Sequence, residues 1–226
     1  MNIEFITATT LADAWFQSIY RCVEVGRPFT IDKGSYAGQQ RLEFDYAVIQ
    51  IEYPDKELIP KLPTQYNIPD PVDEEFIASY IPYLMSDHIE ENEQYTYGNR
   101  LWEFEQVQKV IDTYKEFGHR NNQMIMRISK PKDILLDDPP CLCYIDTRIQ
   151  DNTLHLIPYF RSWDLWGGFP ANLVAIETLK QWMADEIGVK NGSIIASSKG
   201  LHLYDYTWEL AECVRGKTIE EFKKGV

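Results

Sequence analysis

Five short segments of this sequence carry side chains that could do chemistry. Cys141 directly follows Pro139 and Pro140. Two prolines fix φ on the approach, so the thiol starts from a rigid backbone position. Such a thiol suits nucleophilic attack, although free cysteine is also a common buried small hydrophobe. Arg161-Ser162-Trp163-Asp164 offers a guanidinium fork beside a hydroxyl, the donors one phosphate needs. The same residues also make an ordinary salt-bridged turn. Gly167-Gly168-Phe169-Pro170-Ala171-Asn172 brings a glycine pair that lets backbone approach a ligand. Asn172 could then cap a helix, or present an acceptor and two donors to a planar amide such as a nucleobase. His202 and Tyr204 alternate onto one face of a short strand, where their polar tips could grip a sugar hydroxyl or serve only the core. Tyr95-Thr96-Tyr97-Gly98-Asn99-Arg100 leads into a helix and reads at least as a turn and cap. No P-loop, dinucleotide fingerprint, zinc-protease or EF-hand pattern is present.

Order and spacing say more than any one segment. Arg161 lies twenty residues after Cys141, Asn172 eleven after Arg161, and His202 forty-one after Arg161. The series Pro-Pro-Cys, Arg-Ser-x-Asp, Gly-x-Pro-x-Asn and His-x-Tyr resembles the thymidylate synthase family over roughly Tyr97 to Tyr206. Chain length and the form Tyr-Thr-Tyr-Gly-Asn-Arg-Leu are most similar to its compact archaeal-type branch.

The resemblance implies an α/β fold: a mixed β-sheet covered by helices, one domain over 1–226, with sheets packed back to back in a homodimer. It implies one-carbon transfer from 5,10-methylene-tetrahydrofolate, or a methylene-tetrahydromethanopterin-like pterin, to C5 of dUMP, giving dTMP without a metal. Cys141 matches the nucleophile that adds to C6 of the pyrimidine. Arg161 matches the phosphate ligand beside the sulfur, where its charge would lower the thiol pKa. Ser162 matches a second phosphate ligand. Asp164 matches the aspartate near the ring, and Asn172 the amide that reads the O4/N3 edge. His202 and Tyr204 match the pair that holds the ribose hydroxyl. Tyr97 resembles the tyrosine that helps proton removal from C5. An amide can rotate to suit uracil or cytosine, so Asn172 favours uracil without proving it.

Three departures from the family pattern bear on the reaction. The family carries an Arg-Arg pair before the cysteine, donated to phosphate across the dimer; here the stretch reads His119-Arg120-Asn121-Asn122-Gln123, leaving Arg120 to contribute alone. The helix glutamate that relays protons is absent from Ser79-Tyr80-Ile81-Pro82-Tyr83, and Glu74, Glu75 and Glu103 are the remaining candidates. Only 24 residues follow His202, whereas longer members carry a tail that closes over the folate. A more open site would let water reach the exocyclic methylene intermediate and give a hydroxymethyl pyrimidine. Hydroxymethylation of dUMP or of a cytosine nucleotide (dCMP or CMP) is therefore the first alternative. A nucleotide-binding protein without catalysis is the second, and an unrelated cysteine hydrolase using Cys141 with His202 the third. Lys33 and Arg41 are open candidates for a further phosphate contact.

The elements that must position these residues follow from periodicity. Leu11, Trp15, Ile19 and Cys22 form the stripe of a helix over about 10–25, opened by Thr10 with Asp13 and stopped by Gly26. Residues 43–53 read as a strand. Five prolines between 54 and 71 forbid regular structure and mark a surface loop. A helix over about 73–85 contains Pro82, which predicts a kink or early end. Another covers about 100–117, with Leu101, Phe104, Val107, Val110, Ile111 and Tyr114 inward and Gly118 as the stop. Residues 123–129 read as a strand, and 141–149 with 153–161 as a hairpin turning on Asp151-Asn152. Pro158 signals a bulge or an edge. Alternation places Cys141 and Cys143 on one face. A helix over about 172–187 ends at Gly188, with short strands near 193–197 and 201–206. The last residues, KTIEEFKKGV, read as a short polar helix or frayed end.

Composition bounds the partners. At 226 residues with 44% hydrophobic and 25% charged, the chain can bury a good core and is not disordered by composition. Lys plus Arg is 22 against 35 Asp plus Glu, a net charge of −13. The basic footprint of a phosphate-backbone binder is missing, so no nucleic-acid partner is expected; a local basic pocket for one small anion remains allowed. No apolar run is long enough for a transmembrane helix and the N-terminus lacks a signal-peptide pattern, so a cytoplasmic protein without membrane contact is expected. Cys22, Cys141, Cys143 and Cys213 show no metal-ligand spacing, which fits free thiols in a reducing compartment.

Overall fold

The computed structural model describes residues 1–34, 36–64, 68–91 and 93–216, so the stretch KTIEEFKKGV lies outside the described residues. Six strands pair in the order β1 (Ile3–Ala8), β4 (Tyr46–Ile51), β9 (Lys190–Ser198), β7 (Thr153–Phe160), β6 (Leu142–Gln150), β5 (Ile125–Arg127). Pairing is mixed: β1–β4 and β7–β9 are parallel, while β4–β9, β6–β7 and β5–β6 are antiparallel. A second sheet orders β2 (Arg27–Thr30), β3 (Gln40–Glu43), β10 (Leu201–Tyr204), β8 (Trp163–Asp164). The chain passes from the larger sheet to the smaller one through the helix at Leu11–Val25 and twice more by short direct links, between Phe160 and Trp163 and between Ser198 and Leu201. These two links carry Arg161-Ser162 and lead into His202. The expected mixed sheet covered by helices is therefore the architecture found.

The helices lie on one face of the larger sheet. Ala47, Ile49, Ile51, Leu154, Leu156, Ile194 and Ala196 are fully buried there. Val48, Ile157, Tyr159 and Ile195 alternate to the opposite face and are half-buried. Helix α1 (Leu11–Val25) opens as expected, with Thr10 Oγ1 accepting from Asp13 N at 3.1 Å. Helix α2 (Glu74–Met85) is capped by Asp73, which accepts from Phe76 N at 2.7 Å. It does not end at Pro82. Ser86 N still reaches Pro82 O at 3.0 Å, and buried Ile77 and Leu84 anchor the helix on both sides of the proline.

The helix expected over 100–117 is two: α3 (Tyr97–Trp102) and α4 (Gln106–Phe117). Phe104 and Glu105 between them are left-handed, at φ 56° and 55°. Phe104 is 87% exposed rather than inward, because the break turns it away from the stripe. Helix α5 (Gly168–Ile187) begins earlier than its apolar period. The helix expected from about 172 starts four residues sooner, where Asp164 caps it: its carboxylate accepts from Trp166 N and Gly167 N at 3.1 Å and from Gly168 N at 2.9 Å. A short helix, α6 (Trp208–Val214), was not expected.

The β6–β7 hairpin turns on Asp151 and Asn152 at φ 51° and 58°, as their residue types require. Pro158 lies in neither an edge strand nor a bulge of its own, since β7 is interior. The ladder to β9 passes from Leu156↔Ile194 to Tyr159↔Ser197 without a pair at Pro158, where a missing N–H is tolerated. An irregularity does fall between Leu142 and Tyr144 on β6. It breaks the alternation that would pair Cys141 with Cys143. The proline-rich stretch has no strand or α-helix among its described residues, yet Pro54, Pro60 and Leu62 are buried. Leu62 N is held by Asp70 Oδ1 at 2.6 Å. Among the described residues no helix is long and apolar enough to cross a membrane.

Candidate active site

A cavity of about 370 Å³ opens where the two sheets meet. Tyr97, Cys141, Arg161, Ser162, Asp164, Asn172, His202 and Tyr204 all line it, and so do Lys33 and Arg41. Its size falls in the range of small-molecule sites. Cys143 is not among its lining residues.

Cys141 stands at the start of β6, behind a clamp. Arg161 N donates to Cys141 O at 2.8 Å, and Arg161 Nε donates to Pro140 O at 3.1 Å. Its Nη2 donates to Pro139 O and, at 3.3 Å, to Asp138 Oδ1. Nη1 has no hydrogen-bond partner among the described residues. Arg161 thus fixes the proline pair with part of its fork and leaves Nη1 over. Burial pushes the Cys141 thiol up; Arg161 draws it back, Asp138 and Cys143 oppose that, and Arg41 adds to it.

Tyr97 reaches the thiol segment through α3. A Cβ on Gly98 would sit 1.9 Å from Ser86 O, so glycine permits α3 to abut the end of α2. The Tyr97 hydroxyl then accepts from Leu142 N at 3.4 Å. Burial raises this phenol well above its usual value, so it stays protonated. Arg100 anchors the same helix through Asp133 at 3.0 Å, both side chains being buried.

Asn172 has two protein partners. Trp163 Nε1 donates to Asn172 Oδ1 at 2.8 Å, and Asn172 Nδ2 donates to the Tyr80 hydroxyl. Neither partner was expected. The signal for Tyr80 was its position in the α2 stretch that lacks a glutamate; Trp163 gave none beyond its place in Arg-Ser-x-Asp. Glu74, Glu75 and Glu103 do not line the cavity. Glu103 is ion-paired with Lys130.

His202 Nδ1 lies 2.8 Å from Gly200 O, so that nitrogen carries the proton. Burial holds the imidazole down to about 4, opposed by the Gly200 bond, so the ring is neutral at pH 7. Its Nε2 is a buried acceptor without a partner among the described residues. Tyr204 packs edge-on to His202 at 4.6 Å and stacks on Tyr36 at 4.6 Å. Lys33, Arg41 and Arg161 gather three cations at one cavity of an acidic chain. Arg120 lies elsewhere, in a groove with Asn122, Arg148 and Asn152 at the hairpin end of β6 and β7. The long hairpin strands carry that end away from Cys141, so this chain's Arg120 does not line its own cavity.

The family model described as thymidylate synthase matches residues 83–222. The chain belongs to the thymidylate synthase family. A protein of Methanosarcina mazei provisionally named thymidylate synthase is 32% identical over 211 residues, covering 92% of each chain. One of Methanococcoides burtonii with the same provisional name is 31% identical over 230 residues, covering 98% of this chain and 95% of its own. A deoxyuridylate hydroxymethyltransferase of Bacillus phage SP01 is 36% identical over 81 residues, 34% of this chain and 21% of its own. The thymidylate synthase match includes every cavity residue named above except Lys33, Tyr36 and Arg41, and it does not reach Tyr80.

Proposed function

We propose that the protein is a thymidylate synthase, transferring a one-carbon unit from a reduced folate or related pterin to C5 of dUMP. The observation that carries this reading is the gathering of Cys141, Arg161, Asn172 and His202 at one cavity. The Cys141 thiolate adds to C6 and makes C5 nucleophilic. Arg161 Nη1, Ser162, Lys33 and Arg41 take the phosphate. Asn172 reads the O4/N3 edge, and neutral His202 accepts the ribose hydroxyl on Nε2 beside Tyr204. Protonated Tyr97 orients the group that takes the C5 proton, and Asp164 holds the turn before α5 against the ring.

The co-substrate supplies the one-carbon unit and, for a methyl product, a hydride. A hydroxymethyl product is the second reading, favoured by the likeness to the phage deoxyuridylate hydroxymethyltransferase. Both readings use the same Cys141 chemistry. We further infer a homodimer in which Arg120 serves the partner's phosphate site.

The test uses dUMP and dCMP tritiated at C5, each with methylene-tetrahydrofolate and then with methylene-tetrahydromethanopterin. Tritium release from dUMP with dTMP formed is expected, and its loss in Cys141→Ala. Release with a hydroxymethyl product transfers the protein to the second reading. No release with either carrier overturns both.

A further inference from the structure

The Asn172 amide is held at both ends, and its two holders differ in kind. Trp163 Nε1–H donates to Oδ1 at 2.8 Å, and Nδ2–H donates to the Tyr80 hydroxyl. An indole N–H can only donate, whereas a phenol donates and accepts. Turning the amide by half a revolution would set Nδ2–H against the indole N–H, two donors facing each other. Tyr80 could follow that turn by rotating its hydroxyl. Trp163 could not.

Nor can the indole move aside. Trp163 is 2% exposed. Its ring stacks on Phe160 at 3.9 Å with a 5° interplanar angle, and lies tilted at 35° against Phe169 at 4.6 Å. Its backbone pairs with Leu201 across β8 and β10. An amide has two lone pairs and two N–H groups. One of each is spent on the protein, so one of each is left for a ligand, in a single order around the cavity.

That order matters for a pyrimidine. Uracil presents an acceptor at O4 and a donor at N3; cytosine presents a donor at N4 and an acceptor at N3. A free amide adapts to either by rotating. A locked one suits only one of them.

We propose that Trp163 is the specificity-determining positioning residue of this site: its indole N–H locks the Asn172 amide in the order that admits uracil and rejects cytosine. The direction of preference rests on the dUMP reading above; the lock does not. Calorimetric titration of dUMP and dCMP into the full-length wild type, Trp163→Phe and Tyr80→Phe tests it. The wild type is expected to prefer dUMP. Trp163→Phe lowers the ratio of dCMP to dUMP dissociation constants by about tenfold or more, the weight of one unsatisfied buried hydrogen bond. Tyr80→Phe weakens both nucleotides alike and keeps the ratio within about twofold, because a phenol imposes no order. Should Trp163→Phe not fold, β-(3-benzothienyl)alanine at position 163 keeps the ring shape without the N–H.

An unchanged ratio in a folded variant, even with a lowered Tm, overturns the lock and leaves Trp163 a packing residue. A collapsed ratio in a protein whose wild type prefers dCMP sustains the lock and overturns the uracil reading. A wild type that binds neither nucleotide overturns both.

Discussion

His202 gains its chemistry from what surrounds it. Gly200 O fixes the proton on Nδ1 and burial keeps the ring neutral, so Nε2 faces a ligand only as an acceptor. The same burial links the residue to stability. In the unfolded chain the imidazole takes a proton near its ordinary 6.5, in the folded chain near about 4. Between those values the unfolded state binds more protons, so stability rises with pH across this window and is flat above it. The full difference is on the order of 3 kcal/mol. Urea midpoints are expected to fall between about pH 7 and about pH 4.5, and to fall less in His202→Gln. Equal slopes in the two proteins would remove His202 from the account. At this scale the sequence spacing was informative for Cys141, Arg161 and His202, because one motif order carries them. It was silent on the Tyr80 bond to Asn172, whose partners stand 92 residues apart on different helices. Periodicity carries no information about such a meeting.

Among the elements, the α2–α3 junction decides where Tyr97 goes. Gly98 packs so closely on the end of α2 that an added Cβ would meet Ser86 O at 1.9 Å and Leu84 O at 2.9 Å. Both atoms are backbone, so neither can swing away. Gly98→Ala is expected to destabilise the fold by roughly 2 kcal/mol or more. It should also lower activity further than the loss of folded protein explains, because α3 carries Tyr97 away from Leu142. A thermal melt and activity per folded molecule check both parts; a wild-type Tm sinks the close-approach argument. Strong stripes such as α1 and the body of α5 were legible, with Thr10 opening α1 and Gly26 and Gly188 closing the two helices. Boundaries set by distant or unusual backbone were not. The apolar period runs straight through the left-handed pair Phe104 and Glu105, so one helix was expected where two exist. The start of α5 was hidden because its cap, Asp164, lies upstream of a glycine-rich run. Strand β2 is exposed throughout and shows no alternation to read.

At the scale of the molecule, the larger sheet has one face that no helix covers among the described residues. Parallel pairs are normally covered on both faces, and β1–β4 and β7–β9 are parallel. Val48, Ile157, Tyr159 and Ile195 on that face are apolar and half-buried, and Phe5 on edge strand β1 is 75% exposed. A second copy meeting the same face by twofold symmetry would cover it, since an isologous patch is its own complement. Arg120, outside its own chain's cavity, would then be free to reach the partner's. Sedimentation at micromolar concentration is expected to show a dimer for the wild type and a monomer for Ile157→Asp, which places a charge on the closed face. A wild-type monomer ends the dimer proposal. The Arg120 assignment has its own test. Cys141→Ala and Arg120→Ala are each expected to be inactive or nearly so. Mixed and exchanged, they form heterodimers in which the intact thiol of one chain meets the intact Arg120 of the other, and activity returns. Dimers that exchange without recovering activity would show that Arg120 does not cross the interface, and Lys33, Arg41 and Arg161 would remain as the phosphate's cations.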